Sequence, residues 1–217
     1  MSVKRRYDDA CGAAHALDLV GERWALLVAR ELMLGPRRFG DIRRGLPGIS
    51  PNVLTQRLEE MEAAAILRRI RLPAPVSAWV YELTPWGREL EPILGEIGRW
   101  AARSPTRPRG LPMSVNSLVL SFRTMFSRQR AAGFKATLAL LLDDQPFRAR
   151  IANGHFDITP GTPEAPDAVL AGPPTAIAGI VYGGGPLAQE GVTASGDMDV
   201  LRRFATLFPL PELAPGP

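Results

Sequence analysis

"SPNVLTQRLEEME", Ser50 to Glu62, decides how the first half of this chain is read. Ser50 is a good helix N-cap. Pro51 suits the first helical position, because its missing N–H is one that the first turn leaves unbonded anyway. Leu54, Leu58 and Met61 then recur at i, i+4 and i+7 and lay one apolar stripe along the helix. The polar residues are unevenly shared. Asn52, Thr55, Gln56 and Arg57 crowd the front, whereas Glu59, Glu60 and Glu62 crowd the back.

Working outward, "AAHALDLVGERWALLVARELMLG" from Ala13 keeps a helical rhythm that breaks near Gly21 and stops at Gly35-Pro36. "RFGDIRRGL" predicts a short helix with Phe39, Ile42 and Leu46 inward, and "PGI" a tight turn before Ser50. Downstream, Ile66–Leu72 alternates as a strand with Ile66, Arg68, Ile70 and Leu72 on one face. Trp79–Leu83 is aromatic and branched enough for a second strand. The link "PAPVSA" is too proline-rich for a regular hairpin turn. Thr84-Pro85 opens one more helix with Leu90, Leu94, Ile97 and Trp100 on its apolar stripe.

Helix, short helix, turn, capped helix, two strands and a proline-bearing loop make a winged helix-turn-helix. A recognition helix enters the DNA major groove N-terminal end first, which explains the uneven helix: its early side chains reach base edges. Asn and Gln pair with adenine and Arg with guanine. Candidate DNA contacts are therefore Arg37, Arg38, Ser50, Asn52, Thr55, Gln56 and Arg57. Arg68, Arg69 and Arg71 are expected on phosphates beside the groove, positioning without reading sequence. From Arg37 to Arg71 eight arginines face four acids, a net +4 that equals the charge of the whole chain.

The 217 residues are 46% hydrophobic and 22% charged, an ordinary globular composition for one large domain or two small ones. The single cysteine, Cys11, excludes an intramolecular disulfide. The N-terminus lacks the apolar core of a signal peptide, and the apolar run Leu138–Leu142 is too short to cross a bilayer. A cytoplasmic protein away from the membrane is expected. Enzyme readings fail, and no metal or cofactor is expected. His15 and His155 lie in different halves, and Gly183-Gly184-Gly185 leads into Pro186 rather than a phosphate loop. No Gly-x-Ser-x-Gly elbow occurs, and Asp143-Asp144 reads as a solvated turn.

"RSPTRPRGLP", Arg103 to Pro112, reads as an exposed linker. The expected organisation is a DNA-binding domain over 1–103, a linker over 104–112 and a second domain over 113–217. That second domain is expected to be α+β. "VNSLVLSFRTMF" is an amphipathic helix; "KATLALLLD" is apolar on both faces and so a central strand. "FRARIANGHFDI" is a hairpin turning at Asn153-Gly154. "AVLAG" and "GVTAS" are strands, "TAIAGIVYGGG" is a helix, and Asp197 caps a closing helix through Leu201, Phe204 and Leu207. The sheet is mostly antiparallel.

The run Cys11–Trp100 resembles the HxlR-type regulators, a branch of the MarR-like winged-helix proteins. "ISPNVLTQRL" and "YELTPWG" carry the resemblance most specifically. It implies a cytoplasmic bacterial transcription factor working as a homodimer through the first and last helices of the domain, here Ala13–Val20 and Pro85–Ala102. Two recognition helices then sit about 34 Å apart on a near-palindromic double-stranded site. The resemblance also draws attention to Cys11, since some members sense oxidants or electrophiles through a cysteine at this place; a buried or inert thiol is the plainer expectation.

Residues 113 to about 211 resemble the sterol carrier protein-like domain, through "FRARIANGHFDITPG", "DAVLAGPPTAIAGIVYGG" and "EGVTASGDMDVLRRFATLFPLP". That resemblance implies an antiparallel sheet backed by helices, with an apolar cavity for a hydrophobic small molecule. Candidate cavity residues are Phe122, Phe126, Phe134, Leu140, Ile180, Tyr182 and Phe204, although the same residues would equally make an ordinary packed core. Two functions follow: a ligand-modulated DNA-binding regulator, or a lipid carrier whose winged-helix half mediates protein association. The arginine cluster favours the first, since a carrier has no need of it.

Overall fold

A computed structural model describes residues 7–108 and 110–215. The chain divides into two compact units, one ending at Leu94 and one starting at Gly95.

The first unit opens with α1 (Gly12–Val20) and α2 (Ala25–Leu32). They are separated where Trp24 takes the left-handed conformation at φ 80°, so the break falls at the expected glycine turn. α3 (Phe39–Arg44) and α4 (Pro51–Ala63) follow. Ser50 caps α4, its Oγ accepting from the Val53 N–H at 3.3 Å. Leu54, Leu58 and Met61 pack with Val28, Leu32 and Ile42 as the core. β1 (Leu67–Arg71) and β2 (Trp79–Leu83) pair antiparallel with Arg68 opposite Glu82. Arg37 adds a one-residue bridge to Tyr81, completing the wing sheet.

The junction after β2 explains "LTPWG". The Thr84 N–H donates to the Ile66 carbonyl at 3.0 Å and Thr84 Oγ1 donates to the Ala65 carbonyl at 2.8 Å. The same hydroxyl accepts from the Gly87 N–H at 3.0 Å, capping α5 (Pro85–Arg88). A Cβ at residue 87 would lie 1.9 Å from the Ile66 carbonyl oxygen, so only glycine fits there. α6 (Leu90–Ala102) is a separate helix, where one continuous helix was expected. The interruption falls at Glu89, and Pro92, inside α6, has no N–H to bond the Arg88 carbonyl across it.

α6 runs across the division between the units. Its C-terminal half holds to the second unit: the Arg99 guanidinium donates to the Thr124 carbonyl, and the Ala214 N–H to the Arg103 carbonyl at 2.8 Å. The division between the two compact units falls within α6, between Leu94 and Gly95.

The second unit is built from α7 (Val115–Met125), β3 (Ala136–Leu142), β4 (Gln145–Ala152), β5 (His155–Pro160), β6 (Ala168–Gly172), α8 (Pro174–Gly183), β7 (Thr193–Gly196) and α9 (Met198–Ala205). Its sheet has the order β5-β4-β3-β6-β7 and is antiparallel except for the β3–β6 pair. Asn153-Gly154 turns the β4–β5 hairpin with both φ positive, at 53° and 71°. β3 is central, as its apolar alternation predicts. Burial on both faces does not follow: Ala136, Leu138, Leu140 and Leu142 are buried, whereas Leu141 on the opposite face is 41% exposed. Among the described residues no helix is long and apolar enough to cross a membrane.

Candidate nucleic-acid interface

Helical spacing sorts the polar residues of α4 into two groups. Asn52, Thr55 and Gln56, at i, i+3 and i+4, share the exposed face. Gln56 is held there by its own helix, Nε2 donating to Glu60 Oε1 at 2.9 Å. Ser50 is exposed but its hydroxyl is committed to the cap.

Arg57 corrects the expectation made for it. Position 57 stands i+3 from Leu54 and i−4 from Met61, on the apolar stripe, and the residue is only 6% exposed. It is not aimed at a base edge. Its Nη1 lies 3.5 Å from Glu22 Oε2 and 2.9 Å from Glu60 Oε2, while Nη2 donates to Glu60 Oε1 at 3.2 Å. Nη1 is close to its carboxylates but poorly aligned, and both Nε and Nη1 lack a hydrogen-bond partner. The residue ties α4 to the α1–α2 turn by charge and packing, with its hydrogen bonding incomplete. The stripe spacing was the signal that could have placed it. Arg57→Met is accordingly expected to stay within about 1 kcal/mol of the parent in thermal unfolding, because an imperfect buried ion pair gains little over an apolar stem of similar length. Arg57→Ala should cost about 2–3 kcal/mol through lost packing. A fall in base discrimination in a stable Arg57→Met protein would show that the guanidinium leaves this seat to read DNA.

The wing is basic and open. Arg68, Arg69 and Arg71 are all exposed. Arg68 Nη2 pairs with Glu82 Oε1 at 2.6 Å, and Arg69 stacks on Trp79 with its guanidinium carbon 4.7 Å from the ring centroid. Arg38 is exposed at the N-cap of α3, while Arg37 is half-buried where its backbone bridges to Tyr81. Arg43 and Arg44, which sequence reasoning counted for charge but did not assign, are also exposed, Arg44 pairing with Asp41 at 2.9 Å.

Two helices present unpartnered apolar side chains. α1 has no buried residue, and Leu17 is half exposed; on α6, Ile93 and Ile97 are exposed and Trp100 is 77% exposed. Cys11 is exposed at the N-cap of α1, so of the expected buried or inert thiol the buried form does not hold. The backbone N–H groups of Ala14 and then Ala13 lower its pKa, against a small opposing effect of burial.

The profile of the HxlR-like helix-turn-helix family matches residues 19–107. The HTH-type transcriptional regulator YvaP of Bacillus subtilis is 40% identical over 86 residues, spanning 40% of this chain and 80% of YvaP. This chain belongs to the HxlR-like helix-turn-helix family. The HTH-type transcriptional regulator YodB of the same organism is 38% identical over 86 residues, 40% of this chain and 77% of YodB. A solved structure of YodB in its reduced form shares 34% identity, covers 45% of this chain and 97% of YodB, and superposes with a TM-score of 0.41. The HxlR-like match stops at residue 107, so the five-stranded sheet and α7, α8 and α9 lie outside it.

In that second unit the expected cavity residues separate. Phe122, Leu140 and Phe204 are fully buried in the core, where Phe122 and Phe204 meet edge to face at 5.8 Å. Phe134 is half-buried just before β3. Ile180 and Tyr182 do line an open cleft of about 1080 Å³, with Val192, Met198, Phe208 and Arg130. Tyr182 bonds Ser121 at 2.6 Å, and burial pushes its phenol up to about 12, against the lowering influence of Ser121 and Arg107. Its hydroxyl stays protonated at physiological pH. Phe126 stacks on Phe156 at 5.3 Å beside a separate, smaller pocket.

Proposed function

We propose that this chain is a homodimeric, sequence-specific DNA-binding transcriptional regulator whose second unit takes a hydrophobic small molecule as effector. The observation that carries the reading is the exposed front of α4, with Asn52, Thr55 and Gln56 on one face, in the same unit as the exposed arginines of β1. A helix of that kind reads base edges while a basic strand beside it holds phosphates. The apolar residues left open on α1 and α6 suit a self-complementary contact between two copies, which would present two recognition helices to a near-palindromic site. The cleft at Ile180 and Tyr182 is a suitable size for an apolar effector, in keeping with a sterol carrier protein-like domain.

Fluorescence anisotropy tests the central reading, using labelled DNA from upstream of the protein's own gene and a random duplex at two salt concentrations. A preference of about a thousandfold or more for the upstream DNA is expected. Gln56→Ala or Asn52→Ala should reduce that preference by roughly tenfold, the worth of a bidentate base contact of about 1–3 kcal/mol. Equal, weak binding to both duplexes, with lipid extracted from the purified protein, would favour the carrier reading. Cys11 offers a second mode of control, supported by its exposure and lowered pKa. A DNA affinity unchanged by diamide would exclude it.

A further inference from the structure

The amide of Gln56 has its orientation set from inside the protein. Gln56 Nε2 donates to Glu60 Oε1 at 2.9 Å. A surface pair at this helical spacing ordinarily contributes little and leaves both side chains free to turn. Glu60 differs because its carboxylate has a second partner. Arg57 Nη2 donates to the same Oε1 at 3.2 Å, and Nη1 stands 2.9 Å from Oε2, so the guanidinium lies along both carboxylate oxygens. Arg57 is itself confined. It is 6% exposed, on the apolar stripe of α4, and its Nη1 lies 3.5 Å from Glu22 Oε2 in the α1–α2 turn. A buried side chain thus fixes the half-buried Glu60, and Glu60 holds the exposed Gln56.

A carboxylate only accepts hydrogen bonds. It holds the NH2 end of the Gln56 amide and repels the carbonyl end, so the flip open to a free glutamine is closed to this one. One N–H is committed to Glu60, which leaves the other N–H and the Oε1 carbonyl. One donor beside one acceptor matches the major-groove edge of adenine, where N6–H donates and N7 accepts. Guanine presents two acceptors there, O6 and N7. A free glutamine can turn both N–H groups toward them, but a held one has a single N–H to give and meets the second acceptor with its carbonyl oxygen.

We infer, resting on the reading of α4 as the base-contacting helix, that Glu60 is a positioning residue that restricts Gln56 to adenine. Glu60 touches no base. It acts by keeping one amide in one orientation, and Arg57 keeps Glu60 in place.

The experiment is selection of duplexes from a random library by the full chain, followed by sequencing, for the parent, Gln56→Ala, Glu60→Gln and the double variant. The parent is expected to enrich adenine at the position that Gln56→Ala ceases to discriminate. Glu60→Gln keeps the size of the side chain but donates as well as accepts, so Gln56 regains its flip. Enrichment of adenine over guanine should fall at that position by about two- to tenfold, the cost of ordering one freed side chain, with the other positions unchanged. The double variant should match Gln56→Ala, since Glu60 then has no amide to hold. Loss of the charge alone raises affinity for all sequences and moves no single position, so the same data separate it. Glu60→Ala repeats the test if Glu60→Gln does not fold, alanine being the best helix former. Arg57→Met releases Glu60 by the same route and should act at that same position, whereas a guanidinium that reads DNA would cost a preference for guanine. An undiminished adenine preference in the folded Glu60 variant, or a parent preference other than adenine at the Gln56 position, would overturn the role of Glu60 and leave Gln56 as a reader. Gln56→Ala with every preference intact would overturn the reading of Gln56, and the role of Glu60 with it.

Discussion

Replacing Arg68, Arg69 and Arg71 together with glutamine is expected to weaken binding to operator and random DNA alike, by about a hundredfold at 0.15 M salt. The wing arginines hold phosphates, so their loss removes affinity without sequence preference. Each phosphate contact contributes about 0.9 to the slope of log affinity against log salt, so three contribute about 2.7. Carried from 1 M, where the ion-release contribution vanishes, down to 0.15 M, that slope amounts to about two decades. Arg68 is the weakest of the three in this reckoning, because its guanidinium already sits 2.6 Å from Glu82 and must share or leave that partner to meet DNA. If it stays, the loss falls to about thirtyfold and the slope change to about 1.8. The measured slope separates the two outcomes. An unchanged slope in a folded triple variant would remove the wing from the interface.

Gly87→Ala is expected to destabilise the first unit by about 3 kcal/mol or more, the upper range for forced overpacking. The added methyl carbon would stand 1.9 Å from the Ile66 carbonyl oxygen, a backbone atom that cannot rotate away. That same carbonyl accepts from the Thr84 N–H at 3.0 Å, and Thr84 Oγ1 caps the Gly87 N–H, so one shift disturbs the entry to β1 and the start of α5 together. For a unit of this size the melting temperature should fall by more than about 10 °C. Gly98→Ala is the control. It lies in α6 with nothing within 4 Å of the added carbon, and it should be neutral or slightly stabilising, since alanine is the better helix former. Equal melting temperatures for the two variants would refute the close-approach account of Gly87.

Much of the first unit was legible because its signals are local. Ser50-Pro51, Thr84-Pro85, the break near Gly21 and the 3.6-residue stripe through Leu54, Leu58 and Met61 each act within one or two turns of chain, and each sits where its chemistry requires. Propensity and capping need no partner element to take effect. The second unit yielded its strands for a similar reason. Alternation in Ala136–Leu142 and the Asn153-Gly154 turn are short-range features, and β3 is the central strand that its apolar faces suggest.

The sites were less legible, because a side chain's role depends on what the rest of the chain brings to it. Arg57 has the same charge as Arg68 in the sequence, yet one is buried against Glu22 and Glu60 while the other stands exposed on the wing. Phe122 and Phe204 look as suitable for a cavity as Tyr182, yet packing closes around them and leaves Tyr182 at the cleft. Residue type and spacing alone therefore determined a winged helix-turn-helix with a basic wing, followed by an α+β unit. Tertiary packing decided that the units divide inside α6, that Arg57 faces inward, and that Arg99, Arg123, Arg128 and His155, up to 56 positions apart, line one pocket. Periodicity and capping are set by neighbours along the chain, whereas burial and the convergence of charge are set by neighbours in space, and no short stretch of sequence specifies those.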